Sequence, residues 1–542
     1  MLLLAVLLAA PAALPAADAW VTVRAGPFEV YTSAGGRAAR ELLADLEQFR
    51  NAFRQVTGKE EVSSVWPIRV VLFDSARRAQ GYRTGGFELR RDGWAGGLVK
   101  GQKPPFAALT RILLESNLGP LPEEVERGLE AVFSTLAIDR TRVVLGEPPP
   151  APERTPAWAK MHLLAVTADY GGRVRVFLSN LEQGADYVAA YKNAFARTPE
   201  EIDRAAAAYA ESGNFELRKL TGAPIDPARD YRVRDVAESQ AAVLVADLRE
   251  GEAAQAGYRD VLNRYGSSPE ALEGLGLYEE AVAAGSASAR CHLEHALRLA
   301  DPVKARAALE KAAALNPRWA EPLFRLALLA ADASEKLRYL RKAVLLAPRS
   351  SSYWEALAEA ALTAKEFTEA GRAWAAAERA AGSPQERERL RLARRRVEAE
   401  RIAHAEEAKR RERDQIAQLK EKLLENIREA EARVARKNAE APPGEKVVEW
   451  WDDPRPAEKL RGKLVQVDCI GAQARLAVDS PDGKRVQLLI RDATQVVILG
   501  GGEQTLRCGP QKPPREALIE FVKQTDAKLK TAGEVRLIEF LP

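Results

Sequence analysis

Between residues 303 and 384 the chain repeats a unit of two helices closed by a proline, and this period restricts the fold more than any other feature. In SSSYWEALAEAALTAKEFTEAGRAWAAAERAAGSP, Trp354, Leu357 and Ala358 mark a first helix and Ala370, Trp374 and Ala377 a second. Gly382-Ser383-Pro384 closes the unit. Upstream, Ala305, Leu309 and Ala312 precede Pro317. Leu326 and Ala327 then open a unit whose second helix carries Leu340 and Ala343 and ends at Pro348, with Lys336 where a small residue is expected. A fainter unit holding Ala242, Ala254 and Tyr258 spans Val236 to Pro269. Small residues let antiparallel helices cross closely, and a unit this short cannot bury its apolar face alone, so neighbours must stack. Residues 235–384 are therefore expected to form a helical array, which supplies binding surface rather than reactive groups.

These residues resemble the tetratricopeptide repeat. The resemblance implies a short right-handed array with a concave face for a protein or peptide partner. Within it Cys291, His292 and His295 lie on one helix, but without a fourth clustered ligand they read as packing residues.

Around the array the chain has 542 residues, room for several domains, with 29% charged residues and a formal charge of +4. So small an excess gives no nucleic-acid footprint, which needs clustered basic surface. The leader Met1 to Ala19, MLLLAVLLAAPAALPAADA, is apolar, short for a membrane span and ends in Ala17-Asp18-Ala19. It reads as a signal peptide at residues 1–19, which places the mature chain in a secreted or periplasmic, envelope-associated compartment. No later stretch is apolar for long enough to span a bilayer.

Residues 20–220 alternate strand and helix. Trp20–Val23 and Phe28–Thr32 read as strands, Gly36–Val56 as a helix with Leu42, Leu43, Leu46, Phe49, Phe53 and Val56 on one face, and IRVVLF (68–73) as a strand interior. Helices follow at Ala107–Ser116 and, beyond Gly119-Pro120-Leu121-Pro122, through Leu136. His162 sits in an apolar helix and reads as a satisfied packing residue. Thr198 with Glu201 reads as a capping box.

The order of elements, with GPLP and RGLE, resembles the peptidase-MA group, the gluzincin-like metallopeptidases. Their first active-site helix carries H-E-x-x-H and their second E-G-L-A. Two His four apart present their nitrogens from one helix face, and the Glu between them serves the metal-bound water. The resemblance places Ala107 and Arg111 at the two His positions, Ala108 at the general base and Arg127 at the third ligand. Alanine cannot ligate and guanidinium offers no lone pair. The expectation is a degenerate domain with no metal, no cofactor and no catalytic residue. Glu115, Glu123, Glu124, Glu126 and Glu130 read as solvated charge near a helix N-terminus.

Residues 385–441 lack glycine and proline almost throughout and read as a long charged helix. Ile416, Leu419, Leu423, Ile427, Ala430 and Val434 form a narrow stripe suited to self-association or a coiled coil through 416–434; either only this distal part packs, on a partner chain or on the array, or the helix is a solvated spacer. Residues 457–542 carry short runs of strand character: Lys463–Cys469, Ala474–Asp479, Arg485–Ile490, Gln495–Leu499, Thr505–Cys508, Ala517–Val522 and Val535–Phe540. They suit a small barrel or sandwich. An OB-like form lacks the aromatic platform for nucleic acid. Cys469 and Cys508 lie in this segment, and in an oxidising compartment they are expected to pair.

The fold class expected is multidomain and mainly α: an α+β metallopeptidase-like N-terminal domain, a tetratricopeptide array, a long charged helix and a small all-β C-terminal domain. The function expected is a non-catalytic scaffold. The alternative is a hydrolase or peptidase using a non-standard site, for which no Gly-rich phosphate loop or G-x-S-x-G elbow speaks.

Overall fold

The computed structural model describes residues 19–440, 457–500 and 506–541. The signal-peptide expectation, but for Ala19, the turn Ala441-Pro442-Pro443-Gly444, Trp450 and Trp451 lie outside these residues, as does Thr505. The chain divides into two compact units, residues 1–408 and 409–542.

In the first unit β1 (Val21–Ala25) and β2 (Phe28–Thr32) form a hairpin, followed by α1 (Gly36–Thr57), β3 (Ile68–Phe73), β4 (Glu88–Arg90) and β5 (Gly93–Val99). Then come α2 (Phe106–Asn117), α3 (Glu123–Ser134), β6 (Ala137–Asp139) and β7 (Arg142–Leu145). The helices α4 (Pro156–Val166), α5 (Val174–Glu182), α6 (Tyr187–Phe195) and α7 (Pro199–Ser212) lead to β8 (Arg218–Thr221), the single turn α8 (Pro227–Asp230) and β9 (Arg234–Asp235). α7 starts with the capping box: Glu201 N–H donates to Thr198 Oγ1 at 3.3 Å and Thr198 N–H to Glu201 Oε2 at 2.7 Å.

The main sheet runs β4-β5-β3-β2-β1-β9, parallel at β2–β3 and β3–β5 and antiparallel elsewhere, while β6, β7 and β8 form a small separate sheet. The apolar run of β3, broken only by Arg69, is explained by burial on both faces. Ile68, Val70 and Leu72 join Leu43, Leu46, Phe49 and Phe53 of α1 in the largest core. Val71 and Phe73 point the other way and pack with Ala241 and Leu244 of α9 (Glu238–Asp247) and with Val236 and Leu248 on either side of it. At roughly 1.5–3 kcal/mol for each buried large aliphatic or aromatic side chain, neither face can be left open. The expected end of the first domain at 220 leaves β9 of this sheet outside it. The sixth strand and the second cover of the sheet come from residues 234–248, so the array begins inside the core of the domain before it.

The sequence reading also passed over β4 and β5. GWAGGLV lacks the usual strand residues because other backbone approaches it closely: a Cβ on Gly96 would lie 2.5 Å from Gly86 O, and one on Gly97 2.6 Å from Arg83 O.

Helices α10 (Gly251–Tyr265), α11 (Pro269–Gly274), α12 (Tyr278–Ala283), α13 (Ala289–Ala296), α14 (Pro302–Leu315), α15 (Ala320–Leu329), α16 (Ala333–Leu346), α17 (Ser351–Thr363) and α18 (Phe367–Ala380) continue from α9. Neighbours in sequence are neighbours in space throughout. Ala305, Leu309, Ala312, Leu326, Ala327, Leu340, Ala343, Leu357, Ala358, Ala370, Trp374 and Ala377 are buried between helices. Trp354 is half-buried, its Nε1–H donating to Pro348 O at 2.9 Å. Alternate helices are tied by charge: Arg306 of α14 reaches Glu335 of α16 at 2.5 Å, and Arg341 of α16 reaches Glu366 and Glu369, which flank and begin α18, at 2.5 and 2.6 Å.

α19 (Pro384–Glu440) is a single helix, and its contact with the array lies at the end where none was expected. Its first turns, not its distal part, lie on the array: Leu390 and Val397 are buried beside Leu357, Ala361, Trp374 and Ala377, with Ala393 against them. Arg389 makes a double hydrogen bond to Glu355 of α17, one arm at 2.8 Å. The distal stripe is exposed: Leu419 is 67% accessible and Leu423 59%.

In the second unit, β10 (Ala457–Ile470), β11 (Gln473–Asp479), β12 (Arg485–Ile490), β13 (Val497–Leu499), β14 (Gly509–Val522) and β15 (Gly533–Phe540) form one sheet. Its order is β12-β11-β10-β14-β15-β13, and β12 also pairs in parallel with β15. That pairing closes five strands into a barrel with the connectivity of an OB-type fold. Leu464, Leu476, Leu488, Ile519 and Ile538 fill it. The Asp482-Gly483 turn joins β11 to β12, with Gly483 at φ +81. The expected strand Thr505–Cys508 is not one; Leu506 to Cys508 lead into β14. β14 runs on from Gly509 through Pro513 and Pro514, which sit where its register slips opposite Leu464 and Gln466. Proline cannot donate to a ladder, so the slip is where two of them fit. A disulfide joins Cys469, near the end of β10, to Cys508, with Cα atoms 5.7 Å apart.

Candidate functional site

α2 and α3 pack side by side, joined by Leu118 to Pro122. Glycine at position 128 has a packing reason: a Cβ there would meet Met161 and lie 2.5 Å from Ala157 O, so α3 and α4 touch backbone to side chain. Ala107 and Ala108 are half-buried on α2. Arg111 is exposed and forms a bidentate pair with Glu130 of α3, at 3.0 and 2.7 Å. Arg127 pairs with Glu123 one turn before it on the exposed face of α3. Where the peptidase resemblance sets ligands, this helix pair thus carries small side chains and an arginine clasp. Among the described residues no group of three or more His, Cys, Asp or Glu is placed to hold a metal.

The acidic residues are less solvated than their position suggested. Glu124 accepts from buried Lys160 at 3.1 Å and from Tyr187 Oη. Glu126 is paired with Arg349, 2.5 Å away. Arg349 stands in the closing turn Pro348-Arg349-Ser350 of a repeat and also donates to Leu118 O at 2.9 Å and Leu114 O at 3.2 Å. Those are carbonyls at the C-terminus of α2, where a cation is favoured. Glu123 alone fits the solvated reading on the first turn, since it is exposed and pairs only within its helix. Glu115, near the end of α2, has its carboxyl raised above the usual range, chiefly by desolvation.

The array thus docks onto the turn between the two helices, and it does so elsewhere too. Asn316 Nδ2 donates to Val65 O at 2.9 Å, and the Trp66 and Trp319 rings meet edge to face at 4.8 Å. The strongest anchor is Arg91, in the β4–β5 turn, whose guanidinium takes both oxygens of Asp247 on α9 at 3.0 and 2.6 Å. Tyr258 Oη donates to the same carboxylate at 2.7 Å. Asp247 is 1% and the Arg91 side chain 7% accessible. Beside them Glu273 is buried, with Ser288 Oγ donating to Oε1 at 2.7 Å. Burial is the main cause that pushes its carboxyl up to about 7. These contacts were not anticipated. An aspartate at the end of the apolar VLVAD and the Arg91-Asp92-Gly93 turn were the available signals.

His162 is buried and fully engaged. Nε2–H donates to Gly146 O at 2.8 Å, so Nδ1 is the acceptor for Tyr209 Oη at 3.0 Å. Tyr209 Oη in turn accepts from Glu216 N at 3.0 Å. Desolvation lowers the His162 pKa, which keeps the ring neutral in this arrangement. Cys291 is buried, and desolvation pushes its thiol up to about 11; His292 Nε2–H donates to Ser286 O at 3.0 Å.

One cleft carries perturbed carboxyl chemistry. About 550 Å³ in volume, it lies between α1, the end of β5 and the start of α2, with Glu41, Asp45, Lys103 and Phe106 on its walls. Asp45 is half-buried, and burial, with Glu41 adding, raises its carboxyl to about 6.

The array leaves one layer of helices, α15, α17 and the start of α19, sharing a face. Phe324 and Tyr353 stack across it with ring centroids 4.5 Å apart, and Tyr353 Oη donates to Glu321. Glu321 pairs there with Arg325, and Arg389 pairs with Glu355 and stands near Glu359 and Glu386.

No family model matches the chain, and no curated protein does either. Among solved structures, part of the chain is similar to PilF of Pseudomonas aeruginosa, at 19% identity over 29% of this chain and 80% of that one, with a TM-score of 0.25. It is also similar to YrrB, described as a TPR protein with an unusual peptide-binding site, at 17% identity over 26% and 83% of the two chains and a TM-score of 0.23. Yeast Tom70 matches over 54% of this chain and 72% of its own, at 12% identity and a TM-score of 0.23. Among the described residues no helix is long and apolar enough to cross a membrane.

Proposed function

We propose that this chain is a non-catalytic, secreted or periplasmic scaffold that binds a protein or peptide through a tetratricopeptide array. The observation that carries this reading is the docking of the array onto the α2–α3 turn through Arg349. The helix pair that a metallopeptidase would devote to zinc here serves as a support for helical repeats. In this reading residues 20–220 are a peptidase-MA-like domain that has exchanged ligands for packing. The face of α15, α17 and α19, where Glu355, Glu359 and Glu386 stand about Arg389, suits an extended segment with basic side chains, and the chain associates with itself through residues 416–434.

The test uses the mature full-length protein in two arms. Elemental analysis is expected to find no stoichiometric zinc, and about one zinc per chain lost on mutation of α2 or α3 would refute the pseudo-peptidase reading. Basic fluorescent peptides are expected to bind and to be lost in Glu355→Lys/Glu359→Lys, whose circular dichroism should match the parent. Equal binding by that variant would refute the proposed face.

One observation favours a second reading. Asp45, raised to about 6 beside Glu41 in a cleft, has the character of a proton donor or acceptor near neutral pH. Hydrolysis of a peptide or ester library that is lost in Asp45→Asn would establish the enzyme reading.

A further inference from the structure

The distal half of α19 offers an apolar stripe that is graded in size. Ile416, Leu419 and Leu423, with Leu424 at its margin, are bulky, and Ala430 and Val434 at the other end are smaller. Ile416, Leu424 and Ile427 are exposed along with Leu419 and Leu423. The spacing 416, 419, 423, 427, 430, 434 is three, four, four, three, four. It repeats after eleven residues, from Ile416 to Ile427. On a straight helix eleven residues overshoot three turns by only about 20°, so over this short span the stripe stays on one face.

We propose that this stripe is covered by the same stripe of a second copy of the chain, antiparallel, about a twofold axis between Leu423 and Ile427. The proposal rests on the self-association stated above and adds its geometry. The first support is volume. Antiparallel pairing sets Ile416 against the second copy's Val434, Leu419 against its Ala430 and Leu423 against its Ile427, so large meets small in each outer layer. A parallel pair would set Ala430 on Ala430 and leave a gap there, and packed interfaces tolerate gaps of a methyl group poorly.

The second support is charge. On an α-helix, Arg413, Lys420, Leu424 and Glu431 lie along one margin of the stripe, and Gln415, Lys422, Asn426 and Arg433 along the other, while Glu412 and Lys437 continue the line of the stripe beyond its two ends. In an antiparallel pair like margins meet. Lys420 then lies level with Glu431 of the second copy and Glu412 with its Lys437. Leu424, which no residue of its own helix covers, meets the other Leu424. In a parallel pair opposite margins meet, Lys420 stands level with Lys422, and Leu424 faces polar residues. Glu431 with Arg433 is the compensating pair of that arrangement, and it does not relieve the Lys420 contact or the Ala430 gap. Flanking charges of this kind set orientation and partner in paired helices.

The experiment separates association from orientation, using the full chain. Sedimentation across a concentration series is expected to show a dimer, and Leu419→Glu/Leu423→Glu to raise its dissociation constant at least about 100-fold. Both residues are exposed in the single chain, so helix content should not change. A protein that stays monomeric, or a dimer indifferent to that variant, overturns the self-association itself. For orientation, an equimolar mixture of Leu419→Cys and Ala430→Cys chains is expected to form the mixed disulfide dimer under mild oxidation. Ala430→Cys alone should not cross-link, because antiparallel copies hold that pair about 15 Å apart along the axis. Cross-linking of Ala430→Cys with itself, in a dimer that Leu419→Glu/Leu423→Glu dissolves, overturns the antiparallel arrangement and leaves the association standing. Lys420→Glu should weaken the dimer, and adding Glu431→Lys should restore it.

Discussion

Replacing Asp247 by alanine is expected to cost more stability than any other change at the seam between the α/β domain and the array. Asp247 is 1% accessible and accepts three hydrogen bonds, two from Arg91 at 3.0 and 2.6 Å and one from Tyr258 at 2.7 Å. Opposite charges about 4 Å apart at an effective dielectric near 20 attract by about 4 kcal/mol. Deleting one partner of a buried pair strands the other, and such losses run to about 3–5 kcal/mol. The Tyr258 hydroxyl would also lose its acceptor. Arg91→Met should cost a similar amount by stranding the carboxylate. The combination Arg91→Met/Asp247→Leu should cost much less than the two changes summed, because both desolvation penalties vanish together. Urea denaturation of all four proteins, followed by tryptophan fluorescence and circular dichroism, gives the double-mutant cycle. A coupling of at least about 3 kcal/mol is expected. Hydrogen exchange should also accelerate in β4, β5 and α9 of Asp247→Ala. Single changes costing under about 1 kcal/mol, with additive behaviour in the double, would refute the claim that this pair anchors the array.

Three further outcomes are expected. The Glu273 carboxyl, raised to about 7 when folded, binds its proton more tightly than in the unfolded chain, so its contribution is full below about pH 4.5 and is lost as pH rises to about 7. Glu273→Gln should therefore gain on the parent by up to about 3 kcal/mol between pH 4.5 and 8, and a pH-independent difference would contradict the burial argument. Gly128→Ala should cost roughly 1–3 kcal/mol by forcing α3 off Met161 and Ala157, whereas a neutral result in thermal denaturation would mean that α4 yields freely. Cys469 and Cys508 are 39 residues apart, and chain entropy would give their bond about 4 kcal/mol. Non-reducing peptide mapping of exported protein should recover them as one linked peptide, and two free thiols would refute the pairing.

The repeat region was legible because its signals are local. Small residues at Ala305, Ala312, Ala343, Ala358, Ala370 and Ala377, with prolines closing the units, specify how one helix meets the next, and stacking needs only adjacent pairs. β3 was legible for the same reason, as five apolar positions in a run of six with one Arg. What covers its second face was not, since nothing in IRVVLF says that Leu244, far along the chain, will lie against Val71. The α2–α3 pair shows the same division. Ala107, Arg111 and Arg127 say that the helices cannot bind zinc as the resemblance would require. That Arg349 would close over the turn between them is a meeting of two surfaces, each polar and unremarkable in sequence. In α19 the apolar periodicity named the distal stripe, yet packing went to Leu390 and Val397, because burial depends on which face is present to receive a side chain. Composition and period decide what each segment can bury, and only the tertiary structure decides against what, because the free energy of burial belongs to the pair of surfaces and not to either one.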